Sequence, residues 1–201
     1  MDFIIAMLVG VGLTVLSAVL IQRKLSFSAQ RPEDYAGLGP DIDIRQHLSG
    51  PIQCEGVIYG PTGRVSSRFV AEFDGDWSGN RGHLAEKFTY DGATHQNREW
   101  HLQLHEGGSI TATAPDVVGT GYGWQVGSAV LLKYRIRLPE SSGGHVLSVT
   151  DWMYLTENGT IMNRSQFRKF GIKVAELVAT MRPMAAEMSD AGAPQVTQDV
   201  A

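Results

Sequence analysis

Two carboxylates and two arginines fall where a β-sheet would bury them, and that placement is the only chemistry this chain offers plainly. Glu86 and Arg98 flank one turn signal, Asp151 and Arg164 another. Reading Asp91-Gly92-Ala93 as a three-residue hairpin loop sets Tyr90 opposite Thr94, Phe88 opposite Gln96, Glu86 opposite Arg98 and Leu84 opposite Trp100. A two-residue loop would put the apolar sets of the two strands on opposite faces, which burial of one face forbids. Reading Gly127-Ser128-Ala129 as a loop pairs Trp124 with Leu132 and Tyr122 with Tyr134. Reading Asn158-Gly159 as a type I′ turn sets Leu155 opposite Met162, Met153 opposite Arg164 and Asp151 opposite Gln166. On these registers Glu86, Arg98, Asp151, Arg164, Tyr122, Tyr134, Trp100 and Trp124 all face inward. An isolated buried charge is costly, so these groups either pair or line a wet cavity.

Arginine binds a carboxylate or phosphate with two parallel hydrogen bonds from its planar fork. Arg98, Arg164 and Tyr134 are therefore placed to hold an amphipathic ligand's head group, with Glu86 and Asp151 orienting the guanidinium groups. Tyr122, Trp100 and Trp124 would line the same ligand-binding space. A closed network of structural ion pairs in a filled barrel is the competing reading, and the sequence leaves both open.

The remaining candidates are weaker. Asp116 precedes Val117-Val118-Gly119 and suits a turn or cap better than a general base. Asp151 in an apolar run would titrate high if alone, but an arginine partner would hold it ionised. No metal site is expected, because His95, His101 and His105 face outward on a strand and His83 stands apart. Haem would need an inward histidine, and none is evident. Cys54 is the single cysteine, which excludes an internal disulfide. Gly119-x-Gly121-x-Gly123 is followed by no helix and implies no dinucleotide. No G-x-S-x-G occurs, so a hydrolase elbow is unsupported. No cofactor and no catalytic residue is assigned, and whether the protein is an enzyme stays open.

The elements that must position these residues are strands. Val65, Phe69, Ala71 and Phe73 alternate with Arg64, Arg68 and Glu72, the period of a half-buried strand. Turn signals recur at Asp74-Gly75, Asp91-Gly92, Gly107-Gly108, Gly127-Ser128, Gly143-Gly144 and Asn158-Gly159. The 23 glycines fit such a meander. About nine or ten strands follow, and closure into a barrel removes the edges that a long meander would expose. Asp41 is placed to cap a short helix ending near Leu48. Ile172–Met181 reads as the closing strand or a short helix.

Before the strands lies an apolar run, Phe3–Ile21, without a charge. At helical rise it extends roughly 28 Å, close to a hydrocarbon core. It lacks a basic leading region, which favours an uncleaved anchor over a cleaved signal. Arg23, Lys24 and Arg31 follow it, and the positive-inside rule would place the domain in the cytoplasm. The net charge is −4 with both signs interspersed, against nucleic acid as the partner.

Several motifs together point to a family. They are Pro32-Glu33-Asp34-Tyr35-Ala36-Gly37, Asp74-Gly75-Asp76-Trp77, Asp116-Val117-Val118-Gly119, Asp151-Trp152-Met153-Tyr154-Leu155, Asn163-Arg164 and Lys169-Phe170-Gly171. Over about residues 31–175 the chain resembles an uncharacterised, domain-of-unknown-function family of proteobacterial envelope proteins, many of them lipoprotein-like. This chain departs from those in having no cysteine directly following its apolar run. The resemblance implies an envelope location outside the inner membrane, against the charge rule, and supplies no activity or site residues. The strand pattern is also similar to lipocalin and fatty-acid-binding barrels.

The expected organisation is a membrane anchor at 1–24, a linker at 25–40, an all-β, antiparallel, up-and-down, lipocalin-like barrel at 41–182, and a disordered tail at 183–201. The expected protein is held in the inner membrane by residues 3–21, with a periplasmic barrel binding a lipid-like small molecule; no protein partner is specified. The alternatives are an adaptor with a filled barrel, presenting Trp152 and Tyr154 outward, and an enzyme acting on a lipid or small carbonyl compound through Asp151 or Asp116.

Overall fold

The computed structural model describes residues 2–184; most of the expected tail, 185–201, lies outside the described residues. Helix α1 (Asp2–Leu25) comes first, then two short 3-10 turns, Phe27–Ala29 and Pro32–Tyr35, and a one-turn helix α2 (Ile44–His47). Ten strands follow: β1 (Gly50–Tyr59), β2 (Val65–Ser78), β3 (Arg81–Tyr90), β4 (Thr94–Leu104), β5 (Ser109–Thr113), β6 (Gly121–Val126), β7 (Ala129–Arg137), β8 (Val146–Leu155), β9 (Ile161–Lys169) and β10 (Ile172–Pro183). Each pairs antiparallel with its neighbours in sequence, and β1 also pairs with β10. The barrel is closed, so no strand edge is left to recruit another chain. The ambiguous segment after Ile172 is thus the closing strand.

Asp74-Gly75 is not a turn. It lies within the fourteen-residue β2, and the chain reverses only after Ser78. Gly75 is there because the Leu48 carbonyl oxygen would stand 1.9 Å from any Cβ at this position. That contact belongs to the plug at one end of the barrel. The cap of α2 is Asp43 rather than Asp41: its Oδ1 accepts from the Arg45 N–H at 2.9 Å. Ile42, Ile44 and Leu48 bury their side chains in the core. Ile42 N–H donates to Gly127 O at 2.8 Å, Arg45 to Asn80 Oδ1 at 3.0 Å, and the Trp77 indole to Leu48 O at 2.9 Å. Asn80 and Gly127 sit in the loops after β2 and β6, so α2 closes that end.

Of the three hairpin registers read from sequence, one holds and two shift. β3 and β4 pair as expected, with Glu86 opposite Arg98 and Leu84 opposite Trp100. Ala93 supplies the left-handed residue, φ 60°, that a three-residue loop needs. β6 and β7 are joined by only two residues, Gly127-Ser128, and Val126 pairs with Ala129. Tyr122 therefore faces Lys133, Trp124 faces Leu131, and both aromatics point outward, 57% and 42% exposed. Gly121 and Gly123 take the inner positions. The expectation failed because β7 is apolar on both faces, Val130, Leu131 and Leu132 all being buried.

The β8–β9 loop has three residues, 157–159. Thr156 N–H donates to Thr160 O at 2.9 Å, and Asn158 Oδ1 accepts from the Thr156 hydroxyl at 2.7 Å and the Thr160 N–H at 3.1 Å. Leu155 then pairs with Ile161, Met153 with Asn163 and Asp151 with Ser165. The one-residue slip reverses every side chain of β9. Asn163 and Ser165 come in; Arg164 goes out.

The outward aromatics of β8 are not a free patch. Residues 27–38 cross the barrel wall as a strap. The Tyr35 ring lies 5.1 Å from Trp152 and 5.4 Å from Tyr154. Gln30 accepts from the hydroxyls of both Tyr35 and Tyr154. Arg164 stacks its guanidinium 4.9 Å from the Phe27 ring and bonds Glu176 Oε1 at 2.5 Å. Under this strap Trp152 is 1% exposed and forms a second apolar cluster with Ala129 and Leu131. Ahead of the strap, Asp2–Ile21 is a helix long and apolar enough to cross a membrane, and none of it is buried.

Candidate functional site

The barrel encloses a cavity of about 910 Å³. Its closed end is the α2 plug. Its mouth lies at the other end, where the residues after β3, β5 and β7 (Thr94, Pro115, Leu138) reach the lining. The wall is aromatic and aliphatic: Phe69, Phe73, Phe88, Trp100, Leu132 and Ile136. Phe88 meets Phe69 and Phe73 edge-on at 5.3 and 5.5 Å, and Trp100 meets Tyr134 edge-on at 5.0 Å.

A polar group interrupts this wall. Arg98 donates from Nε to Asp116 Oδ2 at 2.7 Å, from Nη2 to Asp116 Oδ1 at 3.2 Å, and from Nη1 to Glu86 Oε2 at 3.2 Å. Its guanidinium stands 5.2 Å from the Trp100 ring centre. Burial works against the Arg98 charge, but the Asp116 hydrogen bonds and the Glu86 field outweigh it and raise the pKa. The fork is thus filled by protein. Asp116 was read from sequence as a turn residue; it is that, and also the bidentate partner of Arg98.

Asp151 stands on the same inner surface with no arginine bonded to it. Its Oδ1 accepts from the Asn163 amide and from the Ser165 hydroxyl at 2.8 Å. Asn163 also donates to the Trp152 carbonyl at 3.1 Å. Burial raises the Asp151 pKa, and the two neutral donors only partly counter it. The expectation that a partner arginine holds this residue ionised is overturned, since Arg98 is committed elsewhere and Arg164 is outside. Burial likewise pushes Glu86 up to about 7, against the pull of Arg98. Burial and the neighbouring carboxylate Asp151 also raise the Tyr134 hydroxyl. Cys54 lines the cavity as a thiol, raised by burial to about 12.

The eight residues read as a site are therefore split. Glu86, Arg98, Trp100, Tyr134 and Asp151 meet at the cavity; Tyr122, Trp124 and Arg164 lie on the outer surface. Asn163 and Ser165 were missed through the register slip. Outside the barrel, the β3–β4 register sets His83 against His101, with rings 5.1 Å apart, and His83 Nε2 lies 3.3 Å from Glu99 Oε2. The donor atoms of these three lie within 4.8 Å of one another, a solvated set of the type divalent transition ions take.

Glu86 makes a pH prediction. Its folded pKa, about 7, exceeds its ordinary value of 4.5, so the folded state holds the proton more tightly. The stability this contributes is fully present below about pH 4.5 and is lost as pH rises through about 7. The loss is about 3 kcal/mol at 1.36 kcal/mol per pKa unit. Glu86→Gln should gain on wild type by that amount between pH 4.5 and 8, measured by urea unfolding. A difference that stays constant over this range would show Glu86 to be ionised throughout.

A closed ten-stranded antiparallel barrel, plugged at one end and open to an internal cavity at the other, is a lipocalin-like fold. The chain belongs to the family described as "Protein of unknown function (DUF3833)", which matches residues 22–183. No curated protein matches its sequence significantly. Among solved structures it is similar in fold to the S-type phycobiliprotein lyase CPES from Guillardia theta, with a TM-score of 0.55 at 6% identity over 72% of this chain and 92% of that one. It is similar also to Rv2717c from M. tuberculosis, with a TM-score of 0.51 at 13% identity over 74% of this chain and 99% of that one.

Proposed function

We propose that this protein binds a lipid-like, amphipathic small molecule inside its barrel, while α1 tethers it in the inner membrane with the barrel on the periplasmic side. The cavity carries the reading. Protein interiors are packed close to the density of organic crystals, yet this barrel keeps about 910 Å³ open behind an aromatic wall. That volume is in the range of small-molecule sites and suits an apolar body. The buried polar group gives such a ligand one end to orient against. A tether would keep the container beside a membrane source of its cargo. The adaptor reading needs a filled barrel and an exposed aromatic patch; the open cavity and the strap over Trp152 count against it.

One observation favours an enzyme as second reading: Asp151 is a carboxyl held above its ordinary range inside a cavity, as a general acid is. It ranks second because neutral hydrogen-bonded carboxyls also serve binding sites.

An apolar, environment-sensitive dye titrated into the full chain tests the binding reading. Ala179 lines the cavity close to the Phe69 ring, both crowding the Cβ position of Gly56. Ala179→Phe fills that space and should weaken dye binding by about tenfold or more, roughly 1.4 kcal/mol, while the sheet's circular dichroism persists. Equal binding by both proteins would put the dye outside the barrel and end the proposal.

A further inference from the structure

The wall of the cavity is short of positive charge. Four carboxyls reach it, Glu86, Asp116 and Asp151 inside and the exposed Glu140 at the mouth, against one largely buried guanidinium, Arg98. Among the described residues the other basic side chains of the lining, His95 and Arg137, are exposed. Three of the five Arg98 N–H donors are already spent on Asp116 and Glu86. Asp151 receives both of its protein donors on Oδ1, and its Oδ2 takes part in no hydrogen bond among the described residues.

We infer that the polar end of the ligand is a protonated nitrogen bonded to Asp151: the barrel takes an amphipathic amine or N-protonated heterocycle and rejects fatty acids and phosphate-headed lipids. This rests on the binding reading above and specifies its ligand.

An incoming carboxylate would be a further acid in a largely desolvated space whose one inner guanidinium is already bonded to two carboxylates, and burying an unpaired charge is among the costliest steps available to a ligand. An ammonium group supplies the missing cation and three N–H donors, and such charge-assisted hydrogen bonds are about twice as strong as neutral ones. A neutral alcohol can use the apolar wall but forms no ion pair. Binding of the cation is linked to protons. Asp151 and Glu86 both hold theirs above the usual carboxylate range, so an arriving cation displaces protons and binds more tightly as pH rises toward 8.

The test is isothermal titration of the full chain, held in a polymer belt, with octylamine, octanol and octanoate, which share one tail. Octylamine should bind about tenfold or more tighter than octanoate. Its affinity should rise from pH 6 to 8 while that of octanol stays level. Asp151→Asn should bring octylamine down to the level of octanol. Octanoate binding as well as octylamine, or an amine affinity flat with pH, would overturn the inference while leaving the binding reading in place. Failure of all three compounds to bind would overturn both. Should Asp151→Asn not fold, the pH series on the wild type decides alone.

Discussion

Arg98→Met will destabilise the barrel by about 3–5 kcal/mol at pH 8, the usual cost of removing one member of a buried ion pair. The loss arises less from missing attraction than from what is left behind. Glu86 is 7% exposed and depends on Arg98 as its cationic partner; Asp116 loses both members of a bidentate contact. Methionine matches the arginine stem in volume, so packing against Trp100 is largely kept and the charge effect is isolated. The sign with pH follows from Glu86. Without Arg98 its carboxyl is driven further into the neutral form, so acid relieves the variant, and the penalty at pH 5 should be well below that at pH 8. Urea unfolding of wild type and variant at the two pH values reads this directly. A loss below about 1 kcal/mol at pH 8 is the size of an exposed ion pair and would mean that the site is wet enough to solvate both acids.

Trp152→Ala will cost a comparable amount, about 3–5 kcal/mol, although the residue lies on the outside of the barrel wall. Its ring is 1% exposed because Tyr35 and the strap cover it, and it packs with Leu131 and Ala129. Removing it should also release the strap, so protease cleavage within residues 27–38 should rise in parallel with the loss of stability. Trp152→Phe should cost clearly less, because the indole N–H is buried with no hydrogen-bond partner and phenylalanine removes that unmet donor. If Trp152→Ala falls within about 1 kcal/mol of wild type, as surface substitutions do, the strap is not held on the barrel in solution.

The sequence makes the barrel legible because one face of nearly every strand is apolar and turn residues mark the reversals. β2 shows this in its own alternation from Phe69 to Phe73. The site was half legible for a physical reason. Glu86 opposite Arg98 follows from a hairpin whose strands have one apolar face each, which leaves a single register. β7 and β8 have two, because the strap buries Leu131 and Trp152 from outside. Hydrophobicity then cannot choose between a two-residue and a three-residue loop, and the registers of β6–β7 and β8–β9 each slipped by one. That slip exchanged Arg164 for Asn163 and Ser165, and so turned an apparent anion site into one short of cations. Asp116 could not have been tied to Arg98 locally: the contact depends on the β5–β6 loop running along β7, where Val117 bridges Ile136 and the Arg137 N–H donates to Asp116 O. Asp74-Gly75 misled because a glycine required by the Leu48 carbonyl looks the same as one required by a turn.

The central claim is that the cavity holds a small amphipathic molecule, and native mass spectrometry of the full chain, purified from its native host in mild detergent, addresses it most directly. We expect a bound species of one copy per chain, lost on denaturation, nitrogen-bearing and cationic, and absent from Ala179→Phe. A bare chain mass, unchanged after incubation with amphipathic amines, alcohols and acids alike, would contradict the account and return the barrel to a structural role.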